Sequence, residues 1–339
     1  MKPSTMIRLS AVVRCMLVLV VLIAPQTVQA AAWEATVGAQ SSDMGRQALA
    51  FLANELWIHA GDSITWTFPT PEIHTVTFLK QNTTPQQVRP PRPGVPGGGC
   101  PGTTPDGSSF DGSTCVTSSE LVDGQTYTVN FPTAGNFKLV CLVHPSMTGA
   151  VHVLGLSETL PQDQAFYDDQ ADREREELLS DGSRLERRGR ATARETSRDE
   201  VSAGIGEIVA TGGGAQIVSV VRFLPGTTVV HVGDTVEWTN LDPETPHTVT
   251  FGIEPANLVP PSFGVTADSD GARHAVLSSP GDSVNSGFLI AARQDRTGLA
   301  ESPLGVTRFR VTFTSPGTFD YFCALHDDLG MVARVIVHP

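Results

Sequence analysis

Two short segments, one in each half of the chain, hold side chains suited to a soft metal. They are Cys141-Leu142-Val143-His144-Pro145-Ser146-Met147 and Cys323-Ala324-Leu325-His326-Asp327-Asp328-Leu329-Gly330-Met331. Far upstream of each stands the same pentapeptide, His74-Thr75-Val76-Thr77-Phe78 and His247-Thr248-Val249-Thr250-Phe251. Each half thus offers a histidine, a cysteine, a second histidine and a methionine, in that order. Thiolate favours Cu(I), imidazole accepts either oxidation state, and a long thioether contact raises the potential by stabilising Cu(II) only weakly. Together they form the donor set of a mononuclear electron-transfer copper centre. The candidate ligands are His74, Cys141, His144 and Met147, then His247, Cys323, His326 and Met331, for two copper ions in all. Recurrence of the whole set in one order argues against coincidence.

Such ligands need a rigid frame, and the surrounding sequence is repeated too. Trp57-Ile58-His59-Ala60-Gly61-Asp62-Ser63-Ile64-Thr65-Trp66 aligns with Val229-Val230-His231-Val232-Gly233-Asp234-Thr235-Val236-Glu237-Trp238. Each reads as a strand, a Gly-Asp turn and a second strand. Alternation then directs Ile64 and Trp66, or Val236 and Trp238, to the core and Thr65 or Glu237 outward. Before each cysteine, Phe131-Pro132-Thr133-Ala134-Gly135-Asn136-Phe137 matches Phe313-Thr314-Ser315-Pro316-Gly317-Thr318-Phe319, again strand, glycine turn, strand. A Val-rich strand closes each half, over residues 150–154 and 332–337. Short alternating strands between Gly, Pro and Asp turns predict an all-β, two-sheet sandwich in each half.

Three stretches fall outside the repeat. Residues 85–115 are rich in Pro, Gly, Ser and Thr and read as a long surface loop. Residues 255–298 are the matching insertion in the second half; loops of this length are either functional or mobile. Residues 157–202 are acidic at the front and arginine-rich at the back, and read as a partly helical, solvated linker. The expected organisation is a leader over 1–30, domains over 31–156 and 205–339, and a charged linker over 157–204.

The first residues read as a secretory signal. Lys2, Arg8 and Arg14 precede an apolar run over residues 15–24 that is too short to span a bilayer, and Val28-Gln29-Ala30 offers a cleavage site. An exported protein, in the periplasm or cell envelope or secreted, is expected. Of the five cysteines, Cys15 lies in the leader and two belong to the metal motifs. Cys100 and Cys115 remain, and outside the cytoplasm they are expected to pair as a disulfide, worth roughly 3 kcal/mol for a loop of that size. The formal charge of −13 becomes more negative once the basic leader is removed. That argues against nucleic acid and anionic membranes as partners and suits a basic protein partner.

Both halves resemble cupredoxins, the small blue copper proteins of the plastocyanin and amicyanin group, on the ligand motifs and strand patterns quoted above. The Cys-x2-His-Pro-x-Met loop of the first half is similar to the short loop of amicyanins. The Cys-x2-His-x4-Met loop of the second has the longer plastocyanin spacing. The resemblance implies two tandem cupredoxin-like Greek-key β-sandwiches, each with one type 1 copper, serving electron transport between redox proteins, with no small-molecule substrate. It also implies that the loop histidines, His144 and His326, lie near the surface as electron exits. Pro145 and Met147 would flank the first, and Leu325, Leu329 and Met331 the second. Asp327 and Asp328 depart from an all-apolar patch and would favour a basic partner at a docking face that includes Leu325 and Pro145. The rival reading is a two-domain copper oxidase or nitrite reductase with an extra catalytic copper. Family patterns for that chemistry use His-x-His pairs and a histidine beside the ligand cysteine. This sequence has neither: Cys141 lies between Val140 and Leu142, and Cys323 between Phe322 and Ala324. Copper sequestration or delivery ranks third, because transfer proteins favour exposed Met or Cys clusters.

Overall fold

The computed structural model describes residues 30–83, 100, 102–144, 146–195, 197–258, 260–291 and 306–339; the expected leader lies almost wholly outside them. In the first half, β1 (Ala32–Gln40) pairs with β2 (Arg46–Leu52) and with β4 (Ser63–Thr67). Next come β8 (Thr126–Asn130) and β6 (Ser108–Ser109). Facing this sheet, β3 (Glu55–His59), β10 (Thr148–Leu154), β9 (Gly135–Val140), β5 (Thr77–Phe78) and β7 (Val116–Thr117) pair in that order. The second half repeats the plan. One sheet runs β12 (Ala215–Leu224), β11 (Glu200–Ala210), β14 (Thr235–Leu241), β19 (Arg308–Phe313), β17 (Arg273–Leu277), β16 (Thr266–Ala267). The other runs β13 (Thr227–His231), β21 (Val332–His338), β20 (Gly317–Phe322), β15 (Thr250–Phe251), β18 (Val284–Asn285).

The Gly-Asp turns behave as their chemistry requires. Gly61 has φ +99° and Gly233 φ +96°, the left-handed region open to glycine. Asp62 accepts hydrogen bonds from the His59 amide and the Trp33 indole, both at 2.9 Å, and so ties the turn to β1. Ile64, Trp66, Val236 and Trp238 are wholly buried and centre the two sandwich cores. Cys100 and Cys115 form a disulfide with Cα atoms 5.1 Å apart.

Three features depart from the sequence reading. The insertions are not strandless: β17 runs parallel to β19, while β6, β16 and β18 are two-residue strands too short to show alternation. Much of the predicted loop 85–115 lies outside the described residues. Second, the charged segment is not a solvated tether. It forms α1 (Gln164–Glu195), whose Leu178 and Leu185 pack against Ala48, Ala50, Leu52, Val218 and Val220, while its charged face meets water. The last residues assigned to the linker already belong to β11. Third, the two halves are one continuous structure. β2 pairs antiparallel with β12, Leu49 opposite Ile217 and Ala48 opposite Val218, so the sheets of the two sandwiches merge. Both strands are buried on both faces, one face in a sandwich core and the other under α1.

Candidate metal centres

The repeated order of motifs becomes geometry at the facing ends of the two sandwiches. In the first half, His74 sits just before β5, Cys141 directly follows β9, and His144 and Met147 come next in the loop to β10. The loop is closed by its own backbone: the Met147 amide donates to the His144 carbonyl at 2.8 Å, and the Cys141 amide to the Met147 carbonyl at 3.0 Å. Thr75 explains why threonine follows the first histidine. Its hydroxyl accepts from the Leu142 amide at 2.8 Å, and its amide donates to Cys141 Sγ at 3.4 Å. The second half repeats this. Thr248 accepts from the Ala324 amide at 2.8 Å and donates to Cys323 Sγ at 3.3 Å, and the Cys323 amide donates to the Met331 carbonyl at 3.0 Å.

The donor atoms converge. His74 Nδ1 lies 3.3 Å from His144 Nδ1, and Cys141 Sγ 3.9 Å from the latter. His247 Nδ1 lies 3.2 Å from His326 Nδ1, with Cys323 Sγ 3.8 and 3.4 Å from the two nitrogens. Within each triad, every ligand atom is within 4.8 Å of the others, and all six residues are buried. Met147 and Met331 are fully buried beside their cysteines in the same cores. Two imidazole nitrogens and one sulfur around a common point, enclosed by apolar side chains, suit a soft ion such as copper better than a hard cation that needs oxygen ligands. Burial alone would keep each thiol protonated. The hydrogen bonds and charges of the paired histidines overcome this and hold Cys141 and Cys323 well below the usual thiol range.

A glycine backs the first histidine of each set. Gly38 and Gly204 stand at bulges where the register of the β1–β2 and β11–β12 hairpins shifts, with φ of +77° and +80°. A Cβ at Gly38 would lie 2.7 Å from His74 Nε2, and at Gly204 2.1 Å from His247 Nε2. The backbone is therefore pressed against the imidazole edge opposite the converging Nδ1 atom. Both Nε2 atoms are buried and have no hydrogen-bond partner.

The expected surface position of the loop histidines is corrected by the structure. His144 is 1% and His326 5% exposed, because the two sandwiches dock with their loop ends facing each other. Their Nε2 edges point into the interface, towards one carboxylate. Glu72 Oε1 lies 3.3 Å from His144 Nε2, and Glu72 Oε2 3.6 Å from His326 Nε2. Burial would raise the Glu72 carboxyl, but the hydrogen bond from His144 and the charges of His326, His144 and His74 outweigh it and pull it down to about 2. Across the same interface Glu244 accepts from the Ser146 amide at 3.1 Å and its hydroxyl at 2.6 Å. Asp327 and Asp328 are exposed and Leu325 is partly buried, whereas Pro145 lies outside the described residues. His59 Nε2 is held 2.9 Å from the Glu158 carbonyl, and His231 faces solvent.

Glu72 and Glu244 escaped the sequence reading. The available signal was a Pro-Glu pair, Pro71-Glu72 and Pro243-Glu244, just ahead of the first histidine in both halves. Within its own half Glu72 meets His144, but only docking brings His326 to Glu72 and Ser146 to Glu244.

Residues 211–338 match the family profile of copper binding proteins, plastocyanin/azurin family. Among solved structures, a reduced mutant amicyanin is 21% identical over 36% of this chain and 82% of its own, with a TM-score of 0.23. A mutant fern plastocyanin is 20% identical over 41% of this chain and 99% of its own, with a TM-score of 0.22. The oxidised plastocyanin of Dryopteris crassirhizoma is 19% identical over the same shares, with a TM-score of 0.21. Residues 211–338 of this chain are thus similar to the plastocyanin/azurin copper-binding family, and the N-terminal half repeats the donor set found there.

Proposed function

We infer that the chain is an exported blue copper protein that carries single electrons through two mononuclear type 1 centres, one in each half. The observation behind this reading is the pair of buried His-Cys-His triads, each with a buried methionine closing its loop. Copper bound there supplies one-electron exchange between Cu(I) and Cu(II). The protein's own contacts hold the donors in place. The threonine hydrogen bonds fix each cysteine and the residue after it, the loop's own backbone bonds hold the loop histidine, and the glycine bulge backs the first histidine. A frame that moves little on a change of charge keeps reorganisation small. The surrounding cores exclude water from the sulfur.

Redox proteins with a basic docking surface are the partners this reading assigns, drawn by the acidic surface and by Asp327 and Asp328 beside the second centre. This reading puts the chain in the cell envelope or outside the cell, on the basis of the expected leader. The reading is that of a carrier, since neither ligand cysteine has the neighbouring histidine that would lead electrons on to a catalytic copper. The test is copper content, visible absorption and EPR of the purified protein. Two coppers per chain with intense thiolate-to-copper absorption support it. An additional EPR species lacking thiolate character would replace it with the oxidase or reductase reading.

A further inference from the structure

The interface between the halves contains a feature that neither cupredoxin-like domain needs alone. Glu72 is 7% exposed and comes from the first half, two residues before the ligand His74. One of its oxygens faces Nε2 of His144, in its own domain, and the other faces Nε2 of His326, in the other domain. In both imidazoles the opposite nitrogen, Nδ1, points at the paired histidine and the cysteine sulfur. Each ring therefore has a metal-facing edge and a carboxylate-facing edge. A carboxylate behind a ligand imidazole fixes its tautomer and orientation and makes it a stronger donor; losing such a partner typically costs 10–100-fold in metal affinity. Here one carboxylate occupies that position for two rings.

We propose that Glu72 is a positioning residue shared by both metal centres, so that the second centre is complete only when the first half is docked on it. This rests on the copper reading above and extends it: the two centres form one electrostatically joined unit rather than two independent carriers on a string. The geometry also ranks the effects. The 3.3 Å approach to His144 is the closer charge contact and the 3.6 Å approach to His326 the longer one. Removing the negative charge should raise the reduction potential of both centres, because a nearby anion stabilises Cu(II) over Cu(I). The rise should be larger at the first.

The experiment uses the full chain with one centre disabled at a time, Cys141→Ser to isolate the second and Cys323→Ser to isolate the first. Each is compared with and without Glu72→Gln, a near-isosteric change. Copper affinity by chelator competition, midpoint potential and Cu(II) EPR are read in each. The expected result is a loss of about tenfold at the second centre and up to about 100-fold at the first, with both potentials moving upward. Glu244→Gln alters the same interface without contacting His326, and should leave the second centre's potential in place. A second centre indifferent to Glu72→Gln, or equally shifted by Glu244→Gln, would overturn the proposal while leaving the copper reading intact. Absence of thiolate-to-copper absorption in either single-centre chain would overturn both. Should Glu72→Gln not fold, the unmutated Cu(I)-loaded chain still decides. Its His144 and His326 Nε2 protons should exchange slowly with solvent by NMR, and rapid exchange at His326 would refute the shared contact.

Discussion

Replacing Gly204 by alanine tests the claim that a bulge presses the backbone against a ligand imidazole. Two costs separate cleanly in this chain. The first is conformational: an L residue at φ near +80° is disfavoured by about 1–2 kcal/mol. Gly233 has φ +96° and nothing within 4 Å of a built Cβ, so Gly233→Ala measures that cost alone. The second is steric. At Gly204 the new methyl would sit 2.1 Å from His247 Nε2 and 2.5 Å from its Cδ2, and ordinary contact begins near 3.4 Å. The ring must retreat by about 1 Å inside a packed core, and overpacking of that kind costs roughly 1–3 kcal/mol. Gly204→Ala should therefore destabilise the metal-free protein by about 2–5 kcal/mol, against about 1–2 for Gly233→Ala. Gly38→Ala should fall between them, since its closest contact is a milder 2.7 Å. The imidazole is rigid, so moving Nε2 also moves Nδ1 away from His326 Nδ1 and Cys323 Sγ. In a Cys141→Ser background, copper affinity at the second centre should drop with the stability. Urea unfolding of the metal-free variants and chelator competition for copper read the two effects. Equal unfolding free energies for Gly204→Ala and Gly233→Ala would refute the reasoning, as would a destabilised variant with unchanged copper affinity.

Further consequences can be measured separately. In the metal-free protein Glu72 has a folded pKa of about 2, below its ordinary 4.5. A lowered carboxyl pKa gives stability that is present in full above the unfolded value and lost as pH falls through the folded one. That loss, roughly 3 kcal/mol at most, should appear between about pH 4.5 and 2 and be missing in Glu72→Gln; parallel stability curves for the two chains would contradict it. Leu185→Ala should cost about 2–5 kcal/mol in urea unfolding, because the side chain is 2% exposed beneath the sheet junction; a change near zero would return α1 to the status of a tether. Replacing Asp327 and Asp328 together by asparagine should slow electron exchange with a basic redox partner and weaken its salt dependence in stopped-flow measurements, and an unaltered rate would remove that face from docking.

The ligand sets were legible because their chemistry is local. Cys141, His144 and Met147 share one loop, and the threonine that braces the loop directly follows the upstream histidine. The strands flanking the Gly-Asp turns were legible because burial of alternate residues writes a period of two into the sequence. The two-residue strands of the insertions left no such period. The docking of the halves had a signal that alternation does not capture: Ala48 to Leu52 and Ile217 to Val221 are almost unbroken small or apolar runs, which is what a strand covered on both faces requires. Leu178 reads as part of a sticky helix side, but the charge run over α1 masked Leu185 and favoured a solvated linker, since only one stripe of a long helix touches the sheet.

What the amino-acid order determined by itself was the donor set, its duplication, and the sandwich frame around each copy, because all three follow from residue type and short-range periodicity. Only the tertiary structure decided that β2 pairs with β12, that both loop histidines turn inward instead of meeting solvent, and that Glu72 stands between them. Those outcomes depend on edge strands and surfaces that complement each other across residues far apart in sequence, and complementarity of shape at a distance leaves no periodic trace along the chain.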